Sequence, residues 1–169
     1  ITRHSSTGGV PNYSPDRYRV DGMDLVSVAS PGTTHYQPQT WDGSRFDYNS
    51  TTNTWTRKKD GWIWTYGSTT GTGAGATRLL ADGVVSLPTS VGGGNGVCCT
   101  TLCKTAAWKL SRVQDEFGNT VTYAYAMHAL PSDLAAAYPW SSAGDTLLST
   151  ITYGSAKLSF VYGRRPDPR

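Results

Sequence analysis

The chain has 169 residues and a mass of 18.2 kDa, enough for one domain with a real core, since folded chains near this length bury about 70% of their unfolded surface. Hydrophobic residues are 37% and charged residues 16%, with 19 Gly, ten Tyr and six Trp; this excludes a disordered tail and a helical bundle and suits a β-rich globular chain. Fifteen basic against twelve acidic residues leave a net charge of +3, too little and too scattered for a nucleic-acid footprint.

The start, "ITRHSSTGGV", lacks the charged-then-apolar layout of a signal peptide, and the longest apolar run falls far short of a membrane span. A first residue other than Met and an end in "RRPDPR" read as an excised piece of a longer chain, organised as a single β domain over 1–169. Asp21-Gly22, Asp42-Gly43, Asp60-Gly61, Asp82-Gly83, Asn95-Gly96 and Gly118-Asn119 punctuate the chain. Asp, Asn and Gly tolerate the positive φ that hairpin turns require, so each pair predicts a turn. Their separation of about twenty residues is one strand-turn-strand length. The prediction is an all-β fold: an antiparallel meander of successive β-hairpins forming a curved sheet, with at most one short helix.

The flanks of Asp60-Gly61 alternate as strands do. Trp55 and Arg57 share a face upstream, and "WIWTYG" puts Trp62, Trp64 and Tyr66 on one face downstream. The basic run Arg57, Lys58 and Lys59 is expected on a solvated turn. Residues 68–78 and 88–97 are rich in Gly, Ser and Thr and predict irregular loops. "CCTTLC" brings Cys98, Cys99 and Cys103 together, an odd count with no nearby histidine; free thiols are the expectation, and no metal site is assigned. In "WKLSRVQDEFGNTVTYAYA", residues 108–126, Val121, Tyr123 and Tyr125 line one face after a compact acidic turn. "LPSDLAAAYPW" suggests a single helical turn capped by Ser132 and stopped by Pro139. "LLSTITYG" and "KLSFVYG" close the chain as a further hairpin around Gly154-Ser155.

Chemistry-bearing patterns are sparse. "GTGAGA", 71–76, lacks the flanking strand, helix and distant acid of a dinucleotide loop, so no cofactor is implied. His4, His35 and His128 follow no nucleophile motif. Asp47, Asp60, Asp115 and Glu116 are the carboxylates from which a hydrolase site would have to be assembled, although turn aspartates already have a structural role. The aromatic block holding Tyr36, Trp41, Tyr48, Trp55, Trp62, Trp64 and Tyr66 fits sheet packing, each ring pair contributing roughly 0.5–1.5 kcal/mol beyond area burial. Trp41, Trp62, Trp64 and Tyr66 are in addition the candidates for stacking on a ligand such as a glycan.

"WKLSRVQDEFGNTVTYAY" resembles the unit of Rhs/YD-repeat proteins and of the related SpvB-like and TcB-like components of bacterial toxin complexes. In that unit an aromatic residue is followed by "L-x-x-I/V-x-D-x-x-GN-x-I/V-x-Y-x-Y". Trp108, Leu110, Val113, Asp115, Gly118, Asn119, Val121, Tyr123 and Tyr125 fill every position. "YRVDGMDLV", "TWTRKKDGWIWTYG" and the closing "LLSTITYG" with "KLSFVYGRRPD" are similar to other family segments, in family order; Arg57 stands where an apolar residue is usual. The chain holds one clear copy of the unit and nothing resembling the family's self-cleavage segment or toxin domain.

The resemblance implies a sheet of hairpins spiralling into a hollow shell around a toxic or reactive C-terminal segment. It implies a non-catalytic scaffolding or encapsulating role and a secreted or cell-surface location. The implied partners are the remainder of a longer polypeptide, a partner shell subunit or an enclosed toxin segment. No catalytic residue carries over. A shell segment is expected to expose long strand edges and a concave polar face. A carbohydrate-binding or adhesive β domain is the alternative, and a hydrolase with dispersed residues the second.

Overall fold

The structure is a computed structural model that describes residues 1–4, 17–30, 33–68, 78–80, 105–127 and 146–163. These residues are all-β, with thirteen antiparallel strands in one open sheet and no helix among them. The strands are β1 (Thr2–His4), β2 (Arg17–Val20), β3 (Met23–Ser30), β4 (Thr33–Pro38), β5 (Arg45–Asn49), β6 (Thr54–Lys59) and β7 (Trp62–Tyr66). They continue as β8 (Arg78–Leu80), β9 (Thr105–Trp108), β10 (Leu110–Gln114), β11 (Thr120–Met127), β12 (Thr146–Tyr153) and β13 (Ala156–Ser159). Residues 88–97, the turns at Asp82-Gly83 and Asn95-Gly96, the cysteines, His128 and the helical turn expected in 130–140 lie outside the described residues. Of the loop expected at 68–78 only the two ends are described, and Arg78 opens a strand instead.

Local chemistry explains the hairpins. Asp21 and Gly22 have φ of 49° and 82°, and Asp60 and Gly61 have 49° and 78°. Positive φ at both central residues is the pattern of a type I′ turn, and the Val20↔Met23 and Lys59↔Trp62 pairings make both loops two residues long. Asp42-Gly43 behaves differently: it lies in a longer connection from β4 to β5, where only Gly43 takes positive φ, at 84°.

The sheet order, β13-β12-β11-β10-β7-β6-β5-β4-β3-β2-β1-β9-β8, departs from a plain meander at one place. β8 and β9 lie beyond β1, while β10 returns to β7; only Lys109 separates β9 from β10. Residues 105–114 therefore touch both ends of the β1–β7 meander. The Trp108 N–H donates to the Ile1 carbonyl at 2.8 Å and the Trp108 carbonyl accepts from the Ile1 nitrogen at 3.0 Å, whereas the Lys109 carbonyl accepts from the Gly67 N–H at 2.9 Å. Successive residues of a strand direct their backbone groups to opposite sides. β1 and β7 thus flank the same stretch of chain from its two sides, and the sheet is wound into a roll whose outermost described strands are β8 and β13.

Ring contacts give the same result independently. Neighbouring strands are spaced about 4.8 Å, so in a flat sheet β2 and β6, four positions apart, would stand roughly 19 Å apart. Tyr18 of β2 and Trp55 of β6 have ring centroids 4.6 Å apart, and Trp108 lies 5.8 Å from both. Tyr18, Val20, Leu25, Phe46, Trp55 and Trp108 form the buried core, with Tyr36, Tyr48 and Tyr66 packed against it. Among the described residues the concave face of the roll is therefore filled with aromatic rings rather than forming the polar hollow expected of a shell segment.

β10–β13 extend away from the roll as a flank. Cross-strand pairing carries the inner face outward from Trp64 through Val113 and Val121 to Tyr153, and from Tyr123 through Ile151 to Leu158. The opposite face is polar, aligning Thr65, Arg112, Thr122, Thr152 and Lys157. Tyr153 and Leu158 are more than half exposed.

Candidate functional site

Burial falls toward the end of the β6–β7 hairpin, where its last inward-facing side chains, Lys59 and Trp62, are only partly covered and mark the mouth of the roll. Alternation places Trp55, Arg57 and Lys59 on the inner face of β6, paired respectively with Tyr66, Trp64 and Trp62 of β7. The basic run therefore does not make a solvated turn. Lys58 points outward, but Arg57 lies inside, with its guanidinium 5.5 Å from the Phe46 ring centroid and 5.2 Å from that of Trp64. A guanidinium over aromatic faces gains cation–π attraction while its stem covers apolar surface.

A polar clamp holds that guanidinium. Arg57 Nε donates to Ser44 Oγ at 2.9 Å and Nη2 to Asp42 Oδ2 at 3.0 Å. Ser44, fully buried, donates its N–H to Asp42 Oδ1 at 2.9 Å and its hydroxyl to Oδ2 at 3.1 Å; Lys59 Nζ reaches the same oxygen at 3.4 Å. Burial alone would raise the Asp42 pKa, but the Ser44 hydrogen bonds and Lys59 outweigh it and hold the carboxyl below its ordinary value. Tyr66 is shifted up, by burial first, with Arg57 working against it.

Of the residues considered for ligand stacking, the structure brings two together. Trp62 and Trp64 stack with centroids 6.3 Å apart and planes inclined by 29°. Trp62 is 45% exposed. Tyr66 lies against the core, and Trp41, 63% exposed, sits in the β4–β5 connection apart from the stack. The turn after β10 approaches the turn of the same hairpin: a Cβ at Gly61 would lie 3.3 Å from Glu116 Cβ and 3.4 Å from its Oε2.

The residues of the 108–126 unit divide between core and turn. Trp108 is 1% exposed, and its Nε1 donates to the Asn53 carbonyl at 2.9 Å and side-chain oxygen at 3.1 Å, fastening the closing strand to the β5–β6 turn. Asp115 Oδ1 accepts the N–H groups of Phe117 and Asn119, and Oδ2 accepts the Asn119 amide at 2.7 Å. These bonds, that of the Asn119 side chain first, hold the Asp115 carboxyl below its ordinary pKa. Gly118 takes φ of 87° in the same turn. Tyr125 donates its hydroxyl to the Leu110 carbonyl at 2.8 Å under the Lys109 ammonium, and Tyr123 pairs with Ile151.

The remaining carboxylates are dispersed, with Glu116 beside Gly61. Asp47 binds His35 and Arg45 on the outer face of β4–β5, and Asp60 occupies its turn at positive φ. Among the described residues no group of three or more His, Cys, Asp or Glu is placed to hold a metal ion. The Asp42–Ser44–Arg57 clamp and the Asn53 anchor of Trp108 were not found by sequence reading. The apolar-to-Arg departure at position 57 was their one visible sign.

Fold and site together define an all-antiparallel β-sheet domain wound around an aromatic core. Its fold is that of a solved structure, the N-terminal domain of the effector protein SpvB from Salmonella typhimurium strain LT2, which it matches with a TM-score of 0.58 at 19% sequence identity over 95% of this chain. The match spans 53% of that structure's chain, so the present chain corresponds to about half of it. No family model and no curated protein matches the sequence.

Proposed function

We propose that the chain is a non-catalytic structural segment of an SpvB-like, toxin-related polypeptide, within the broader Rhs/YD-repeat group that its 108–126 unit resembles. On this reading the roll is a rigid core and the β10–β13 flank carries the sheet into further strands. The observation that supports it is the inner apolar face, which runs from Trp64 through Val113 and Val121 to a half-exposed Tyr153 on β12, one strand in from the β13 edge. The Phe160 N–H donates inward to the Ser149 carbonyl at 2.9 Å. By alternation Lys157 and Ser159 direct their backbone groups away from β12, along an edge that no described strand covers and that suits strand addition.

The partner that fits is the remainder of a longer polypeptide, or a second shell subunit, supplying an antiparallel strand against β13. An enclosed segment would lie over the flank, because the interior of the roll is full. A secreted or cell-surface location belongs to the same proposal, through the likeness to an effector. Hydrogen exchange on this chain, compared with a longer expressed product containing it, tests the reading. The Lys157 and Ser159 amides should exchange freely in the short chain and gain protection in the long one; equal exchange in both overturns it.

A further inference from the structure

Trp62 lies outside the buried core and keeps much of its ring exposed. Proceeding outward, the Arg57 guanidinium stacks on Trp64 at 5.2 Å and Trp64 on Trp62 at 6.3 Å. The inner end is fixed by Asp42 and Ser44, and the Arg57 side chain is only 18% exposed. The outer end is an indole 45% exposed, paired across the hairpin with Lys59 and preceded by Gly61, beside which the Glu116 side chain lies. The result is an aromatic platform with the Lys59 side chain across the hairpin and the Glu116 carboxylate beside the preceding turn.

We propose that this platform is a sugar-binding site: the apolar face of a pyranose ring stacks on Trp62, and Glu116 and Lys59 exchange hydrogen bonds with its hydroxyls. Ligand pockets typically combine an aromatic wall with a few placed polar groups, which matches a ring having one C–H face and a polar rim. The rest of the border argues against other stacking ligands. Arg57 and Lys59 already share the Asp42 carboxylate, which weakens their pull on a nucleotide phosphate, and a quaternary ammonium seeks several enclosing aromatic faces where this mouth offers one. The ring faces are held by Arg57, so little ordering cost remains at binding. This site is separate from the β13 edge, so its failure leaves the structural reading standing.

The experiment titrates the chain with lactose, cellotetraose and triacetylchitotriose, read by tryptophan fluorescence and calorimetry. At least one sugar should bind saturably at millimolar concentration or below. Trp62→Ala should weaken it by roughly tenfold or more and Glu116→Gln by about threefold, with Trp41→Ala unchanged. Thermal unfolding of Trp62→Ala close to that of the parent chain establishes that the variant is folded, and Trp62→Phe, which keeps an aromatic face, should retain part of the affinity. Absence of binding by all three sugars at about 10 mM, a level where even weak sites of this type fill, overturns the proposal. So does unchanged affinity in Trp62→Ala, or loss of Trp62 exposure in a longer product whose added strand covers the mouth.

Discussion

The roll and the flank are built from the same kind of strand, rich in Tyr, Val and Thr, yet they differ in where the inner face finds its partners. In the roll, curvature turns β2, β4, β5, β6 and β9 toward one another, so Tyr18, Tyr36, Tyr48, Trp55 and Trp108 cover each other. In the flank the same face continues, but nothing among the described residues stands opposite Tyr153 or Leu158. A sheet face becomes a core only where the sheet closes on itself or another layer covers it. Identical alternation therefore yields a stabilising core in one region and an unfinished surface in the other.

The contrast can be broken most sharply at Trp108. Trp108→Ala should cost about 3–5 kcal/mol in urea unfolding, from lost ring contacts and a residual cavity. Leu158→Ala, 57% exposed in the flank, should cost under about 0.5 kcal/mol. Similar costs at the two positions would mean the closing strand is not what holds the roll. Next in size, Arg57→Met removes two side-chain hydrogen bonds and leaves Asp42 with Ser44 and Lys59; a loss of about 1–3 kcal/mol is expected, against a change within about 0.5 kcal/mol for the outward Lys58→Met.

Glycines sharpen the comparison between hairpins. Gly22→Ala and Gly61→Ala each force a side chain into the left-handed region at a cost of about 1–2 kcal/mol, and Gly61→Ala should cost more because its Cβ meets Glu116. Equal losses in the two variants would show that Glu116 gives way freely. The smallest effect is a pH dependence. The Asp42 pKa is lowered in the fold, so the ionised clamp contributes stability present above the unfolded carboxyl pKa of about 4. That contribution is lost as pH falls through the lowered folded value. Asp42→Asn should flatten the acid limb of a stability profile measured from neutral pH downward; an unchanged limb would place the acid sensitivity elsewhere.

Much of the local architecture was legible. Asp21-Gly22 and Asp60-Gly61 announced two-residue turns because few other pairs accept positive φ at both positions, and the alternation of Trp62, Trp64 and Tyr66 assigned a common face correctly. The site was less legible. Arg57 read as part of a charged turn because a short basic run gives no sign of which member faces inward, and Asp42 read as a hairpin residue because its partner Ser44 becomes significant only beside Arg57. Trp62 and Trp41 were indistinguishable by composition; only their positions separate a stacked platform from an isolated ring.

The all-β class, the two-residue turns at Asp21-Gly22 and Asp60-Gly61 and the two-residue periodicity could be read from the amino-acid order, since these follow from backbone preferences acting over a few residues. The tertiary structure decided that β9 and β10, joined through Lys109, would serve both ends of the β1–β7 meander. That choice is long-range: it depends on Trp108 fitting among Tyr18, Tyr48 and Trp55 and reaching Asn53, contacts between residues far apart in the chain. Alternation marks which side chains share a face, but only packing in three dimensions settles which faces meet.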